Sequence, residues 1–501
     1  DMWSLSDEIT LNEGASSVDA SCEAITLKSL ATASQDELDK LMALVGLSNF
    51  LQAERFAQEL SLANPSDAVV RKVLGFILQR LAKHEEAVDA FEQSIALNNT
   101  DCETHCNLGN VFCEMHRLDE ARACYEAALE REVNYAQAHM GLGLIYGAQK
   151  QLKQAIDCFE RAVSLRPHCA DTLFHLGTHL MLDGQTDRAE SQLRSAIENN
   201  PDLILAHCNL GVLLKQQGRT DEALSSLSLA FSLDANNAEV RNNLGSVLAE
   251  LDRYGAAEGH FRSAIEIKAN YAAAHNNLGD LLRRRGQLKE AIDSLTLAIY
   301  HDPNSSSAHL NLCAAFREIG ELRQALIHGR LSVESDPKST KAFTNLGGAL
   351  IELDRLAEAV DAYYEAKCLD PSNALAECQW LHQRQHMCDF EVSNLLGELR
   401  DRVGITGASV PPFSALTWSD TPEDHLLRAR AYCEEEFKEA PQTLPVKPDD
   451  RPERLKIGYF SADFHNFPGM YLMAGLLESH DRERFEVYAF SYGPDKDDAM
   501  R

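Results

Sequence analysis

Ala136-Gln-Ala-His-Met-Gly141-Leu142-Gly143-Leu-Ile-Tyr146, then Ala155-Ile-Asp-Cys-Phe159-Glu-Arg-Ala162, closed by Pro167, is the stretch whose reading decides the fold. Leu142, Gly143 and Tyr146 fall on one face of a first helix; Ala155, Phe159 and Ala162 fall on one face of a second. A small residue is needed where two helices cross closely, and the aromatic fills the space beside that crossing. Pro167 ends the second helix because it has no N–H to continue the ladder. The same small-residue slot recurs every 34 residues at Leu41, Gly75, Gly109, Gly143, Gly177, Gly211, Gly245, Gly279, Cys313 and Gly347. Alanines run in phase from Ala53 through Ala87, Ala121, Ala155, Ala189, Ala223, Ala257, Ala291 and Ala325 to Ala359. Pro65, Pro201, Pro303, Pro337 and Pro371 take the place of Pro167.

This period and residue pattern are the tetratricopeptide signature. No single helix pair can bury its apolar stripe alone, so the units are expected to stack into one superhelical solenoid. The reading gives ten repeats over 34–371. The first, 34–67, is expected to be a divergent cap, and the unit 306–339 is the least regular, with Cys313 in the glycine slot and Gly329 in the aromatic slot. Residues 1–33 read as an acidic, disordered tail. The period is expected to stop after Pro371. Residues 372–453 read as a helical connector ending in a Pro-rich linker. Residues 454–501 read as a strand (455–460), a helix (Met470 to Glu478) and a second strand (485–490), one βαβ unit opening a parallel-sheet domain.

The formal net charge of −30 argues against tracking a nucleic-acid backbone or an anionic membrane, and for polypeptide partners. Thirteen scattered cysteines without a CxxC pair suit reduced thiols in a cytoplasmic compartment, or the nucleus of a eukaryote. Neither a leader pattern nor a run of eighteen apolar residues is found. Both ends of the chain read as cut, the C-terminal one inside a domain.

Two residues before the small-residue slot stand Asn107, Asn209, Asn243, Asn277, Asn311 and Asn345. First helices line the groove of such a solenoid, so these amides are expected in a row. Each offers one acceptor and two donors, enough to hold the C=O and N–H of an extended peptide without reading its side chains. The bland alternative is that they bond neighbouring helices and keep the stack in register; peptide binding is the reading adopted. A cationic carboxylate clamp is disfavoured, since the same slots hold Asn, His175 and Gly141. Cys102, His105, Cys106 and Cys113 share roughly one helical face, but packing explains them better than a metal site. The pattern Gly141-x-Gly143-x-x-x-Gly147 lies within a helix and is no dinucleotide loop. His382 and His386 read as surface or packing residues.

Arg454-Leu-Lys-Ile-Gly-Tyr-Phe-Ser-Ala-Asp-Phe-His465, Tyr471-Leu-Met, His480-Asp481-Arg482 and Arg484-Phe-Glu-Val-Tyr-Ala-Phe-Ser-Tyr-Gly-Pro494 resemble the start of the catalytic region of protein O-GlcNAc transferases and their Spindly-like relatives. Upstream, His382-Gln-Arg-Gln-His-Met-Cys-Asp389, Pro412-Phe413 and the segment from Thr421 to Tyr432 are similar to the same family. The fold class implied is mainly α: a tetratricopeptide solenoid followed by the first βαβ unit of an α/β Rossmann-like glycosyltransferase domain. The resemblance implies sugar transfer to Ser or Thr hydroxyls of proteins, from UDP-GlcNAc or, in the Spindly-like branch, GDP-fucose, with no further cofactor and no metal. It also allows a homodimer through the repeat surface. Family members read Asp-Phe-x-Asn-His-Pro where this chain has Asp463-Phe464-His465-Asn466-Phe467-Pro468, so Phe467 takes the place of the family histidine. Asp463 and His465 are the candidate site neighbours. The family's diphosphate-holding lysine belongs to a second Rossmann-like half beyond Arg501, so these 501 residues are expected to transfer no sugar by themselves.

Overall fold

The computed structural model describes residues 33–389, 391–392, 409–410, 422–436, 455–461 and 485–491. The expected tail (apart from Ala33), most of the connector and linker, and the helix expected at Met470 to Glu478 lie outside the described residues. Two compact units are separated, Asp1–Gly397 and Glu398–Arg501.

In the first unit, helices alternate strictly. After Gln35–Gly46 and Phe50–Ala63, first helices of thirteen residues (Ala68–Arg80, Cys102–Glu114, Ala136–Ala148 and onward) alternate with second helices of fourteen (His84–Leu97, Leu118–Arg131, Leu152–Leu165 and onward). Within each repeat the slot glycine meets the second helix. A Cβ added to Gly143 would lie 2.7 Å from the Phe159 ring, and one on Gly245 2.7 Å from Phe261; at Gly279 it would strike Leu295 at 2.5 Å. The glycine is therefore required by close approach, not by backbone angle.

The irregular unit turns out to be a size exchange. Cys313 and Gly329 are both buried, and a Cβ on Gly329 would stand 3.2 Å from Cys313 Sγ. Bulk removed from the second helix reappears on the first. The first repeat carries the same inversion, with Leu41 and Ala57 both fully buried in one core cluster.

A further ladder lies in the turns. Ser48, Ala82, His116, Lys150, Gly184, Gly218, Asp252, Gly286, Gly320, Asp354 and Cys388 all have positive φ, at the same 34-residue spacing. In the turn after Ala136–Ala148, Lys150 N–H donates to Gly147 O and Gln151 N–H to Tyr146 O, both at 2.9 Å. That is a left-handed helix cap whose two bonds satisfy carbonyls the helix end leaves open. Only four of these eleven positions are glycine; the others accept a conformation that disfavours a side chain because the turn is pinned from both sides.

Helix Ala374–His386 begins 34 residues after Thr340–Glu352, packs on Leu356–Leu369, and ends in the same left-handed cap at Cys388. The repeat geometry thus runs one helix past Pro371, with fully buried Leu381 in the glycine slot.

In the second unit, helix Pro422–Glu436 is joined by Ser409 N–H donating to Glu435 Oε2 at 3.2 Å. Strands β1 (Leu455–Ser461) and β2 (Phe485–Ser491) pair in parallel, from Leu455 opposite Phe485 to Ser461 opposite Ser491.

The size exchange makes a thermal-melting prediction. Gly329→Phe alone should overpack against Cys313 and lower stability by about 1–3 kcal/mol. Adding Cys313→Gly should recover most of that loss, restoring the arrangement of the other repeats. Additive losses in the double variant would show that the two residues do not compensate.

Candidate functional site

First helices of successive repeats touch one another, while second helices chiefly contact the first helices on either side. The array therefore closes toward its first-helix side, and residues two before the slot face along it. All six asparagines predicted from sequence lie on first helices, but their surroundings differ. Asn209 is 5% exposed and donates to Thr178 Oγ1 at 2.9 Å, so its amide is consumed within the stack. Asn277 Nδ2 donates to Asn242 Oδ1, and Asn311 Nδ2 to Asn276 Oδ1, both at 2.9 Å. Asn107, Asn243, Asn277, Asn311 and Asn345 are all half-buried.

Between Asn107 and Asn209 the row is interrupted. A Cβ on Gly141 would lie 2.5 Å from the Tyr125 ring, so that ring fills the place of the missing amide. Tyr125 Oη in turn donates to Asn110 Oδ1 at 2.7 Å. In the next repeat His175 holds the slot, stacked on Phe159. The continuous amide row is Asn243, Asn277, Asn311 and Asn345.

Beside that row, charged residues link each repeat to the next: Lys215 to Glu250 at 3.3 Å, Arg283 to Glu318 at 2.6 Å and Arg317 to Glu352 at 2.6 Å. Sequence reading missed this row. Its signal is a basic residue four after the slot and a glutamate five after the following slot. With Leu310, Ala314, Asn311 and Asn345, the two arginine pairs line a cleft of about 340 Å³. Arg317 lies across Gly348, where a Cβ would stand 2.7 Å from its guanidinium. Each cation faces a carboxylate, so the cleft offers amides and paired charges where a carboxylate clamp needs free cations.

A second unforeseen row stands four residues before the slot. Nε2 of His139, His207, His275 and His309 lies 2.9, 2.9, 3.1 and 3.1 Å from the carbonyl six residues earlier. Arg241 Nε donates likewise to Ala235 O at 2.7 Å. In these five repeats the side chain ties down the loop entering its first helix, whereas Leu173 and Phe343 hold the same place in two others. His105 has the same place and contacts Asn99 Oδ1 at 3.1 Å. Burial pushes the Cys102 thiol up to about 11 and that of Cys106 up as well, which keeps both protonated and unreactive. Asp463, His465 and Phe467 lie outside the described residues.

Residues 27–309 match the family described as "Cilia and flagella-associated protein 70 C-terminal domain", a tetratricopeptide family. Residues 435–501 match the family described as "Glycosyl transferase family 41". The chain belongs to the tetratricopeptide family of the first match and is O-GlcNAc transferase/Spindly-like. The first match lies on the repeats, whereas the second takes in the end of helix Pro422–Glu436 and both strands of this tetratricopeptide protein. A probable UDP-N-acetylglucosamine–peptide N-acetylglucosaminyltransferase, SEC, of Arabidopsis thaliana is 32% identical over 127 residues, covering 22% of this chain. The match spans 13% of that relative's length. Among solved structures, YrrB, titled a TPR protein with an unusual peptide-binding site, is 29% identical over 37% of this chain and 96% of its own, with TM-score 0.33. The Cut9–Hcn1 hetero-tetramer of the APC/C is 12% identical over 70% of this chain and 89% of its own, with TM-score 0.42. No helix among the described residues is long and apolar enough to cross a membrane.

Two half-buried histidines of the array give a pH prediction. Burial, then neighbouring His179, pushes His175 down to about 3; burial, then His309, pushes His328 down to about 4. His328 and His309 face each other through Nδ1 at 3.0 Å, a bond that needs at least one ring neutral. An unfolded histidine titrates near 6.5, so below that pH the unfolded chain binds more protons than the folded one. Their contribution is complete above about 6.5 and is lost as pH falls toward 4. Melting temperature should decline from pH 7 to pH 5, and His328→Asn should flatten that decline. An unchanged pH slope in the variant would remove His328 from the account.

Proposed function

We propose that this chain is part of a protein O-GlcNAc transferase-like enzyme whose amide-lined groove holds extended polypeptides for sugar transfer to Ser or Thr hydroxyls. The observation carrying the proposal is the family 41 match at 435–501, which comes after a repeat array with consecutive groove asparagines and the connector that follows it. Such a transfer needs the acceptor hydroxyl held in line with the sugar and the departing diphosphate stabilised. The groove suits the first of these needs, because its amides match the backbone donors and acceptors common to every peptide. The donor proposed is UDP-N-acetylglucosamine, after the relative's name, with GDP-fucose as the Spindly-like alternative. Partners are polypeptides, a homodimer through the repeat surface is compatible with this reading, and the proposed compartment is the cytoplasm.

A second reading, a non-catalytic scaffold, is favoured by one residue: Phe467 stands where the family motif that this stretch resembles implies a histidine. An aromatic hydrocarbon can neither accept nor donate the proton that an imidazole can.

Two experiments bear on these readings. Replacing Asn243, Asn277, Asn311 and Asn345 together with Ala should weaken binding of an unstructured polypeptide by at least about tenfold, the loss of several net hydrogen bonds, with helical circular dichroism intact. Wild-type affinity in that variant would sink the groove reading. In a polypeptide carrying the whole catalytic region, Phe467→His should raise incorporation of labelled GlcNAc into a peptide acceptor. If neither version transfers sugar, the scaffold reading stands.

A further inference from the structure

Behind the groove amides stands a second row. Asn242 and Asn276, each one residue before a groove asparagine, are 5% and 8% exposed. Their Oδ1 atoms accept hydrogen bonds from the groove amide of the following repeat, Asn277 and Asn311 respectively, each at 2.9 Å. Asn276 Nδ2 also lies 3.4 Å from Asn277 Oδ1, linking the two rows. The corresponding places behind Asn243 and Asn345 hold Cys208 and Leu310, which carry no amide.

An asparagine side chain presents C=O and NH₂ ends of nearly equal size, and a half-turn about its last bond exchanges them. An unrestrained groove amide must therefore be ordered when a ligand arrives, at a cost in side-chain entropy. Where one N–H is already given to a buried carbonyl behind it, the exchange is blocked. The Oδ1 and the second N–H are then held in a fixed order, and the Asn277 Oδ1, which accepts from Asn276 Nδ2, keeps one lone pair for a ligand.

We infer that Asn242 and Asn276 are positioning residues: they fix the Asn277 and Asn311 amides so that a peptide unit meets one acceptor and one donor already in place. The inference rests on the groove reading above. It makes the segment from Asn242 to Asn311 the pre-ordered part of the groove and predicts that residues which a peptide never touches govern its affinity.

The test uses the 501-residue chain and a fluorescent, unstructured peptide rich in Ser, Thr and Val, read by anisotropy beside thermal melting. Asn242→Leu with Asn276→Leu removes both buried acceptors; leucine is native to this place at Leu310, so the repeats should fold. Binding should weaken about threefold to tenfold, the scale of re-ordering one or two side chains. Asn242→Asp with Asn276→Asp keeps the acceptor oxygens and should restore affinity. A role in packing alone predicts that affinity follows melting temperature across the two pairs, so a Leu pair that melts as wild type yet binds more weakly, with affinity regained in the Asp pair, is the signature of positioning. Asn277→Ala with Asn311→Ala is the reference. If the reference binds as tightly as wild type, or wild type does not bind, the groove reading falls and this inference with it. If the reference weakens binding while the Leu pair binds as wild type, only the positioning role is overturned. Should the Leu pair melt early, Asn242→Ala with Asn276→Ala, which adds no bulk, makes the same comparison.

Discussion

The contact on which the rest depends is the one between a slot residue and its partner sixteen positions later on the second helix. At Gly75, Gly109, Gly143, Gly177, Gly211, Gly245, Gly279 and Gly347 the first helix offers no side chain, and a ring or leucine of the second helix occupies the space. Added methyl groups would stand 2.5–2.8 Å from those side chains, well inside van der Waals contact. Close-packed interiors do not absorb such an intrusion by small shifts. What the fold requires, though, is one large and one small partner, and it is indifferent to which helix carries which. Cys313 with Gly329 and Leu41 with Ala57 show the inverted choice, and both pairs are buried.

Because that contact recurs at an unchanged interval, everything placed relative to the slot recurs with it. Residues two before it form the amide row and residues four before it hold the loop carbonyls. Residues four and five after it form the ion pairs between repeats. The amides and the ion pairs join one repeat to the next at a separation of 31 to 35 residues, as in Asn209 with Thr178, Asn277 with Asn242 and Arg317 with Glu352. A groove of this kind is thus a by-product of stacking, and its chemistry can be changed slot by slot without disturbing the crossing that builds it. Gly141 illustrates the point: the amide is absent there, and Tyr125 closes the gap.

Much of this was legible in the sequence, because slot residues are chosen by sterics and sterics tolerate few substitutes. The helix pairs, the asparagine positions and the parallel strands 455–461 and 485–491 follow from pattern alone. The turns were not legible by residue type: Ser48, Ala82, His116 and Lys150 take left-handed angles that only the two cap hydrogen bonds explain. Nor was the fate of each asparagine, since burial and partner depend on a residue some 31 to 35 positions away. Asn209 and Asn277 sit in identical slots, yet one is closed off by Thr178 and the other is only braced by Asn242. Helix Ala374–His386 falls in the stretch read as helical, but its place as a continuation of the repeat went unread because its slot holds Leu381, and a search for glycine stops there.

The ion pairs along the row have a meaning beyond stability. Arg317 and Glu352 are roughly a third exposed, and surface pairs of that sort contribute about 0–1 kcal/mol each. Their larger effect is on what the cleft can recognise. In a chain of net charge −30, unpaired Arg283 and Arg317 would make this stretch an attractive seat for acidic segments, including the protein's own. Paired with Glu318 and Glu352, they present no net charge, and the strongest directional groups left are the neutral amides of Asn311 and Asn345. In the proposed peptide-binding reading, recognition in this cleft then rests on the backbone rather than on side-chain charge.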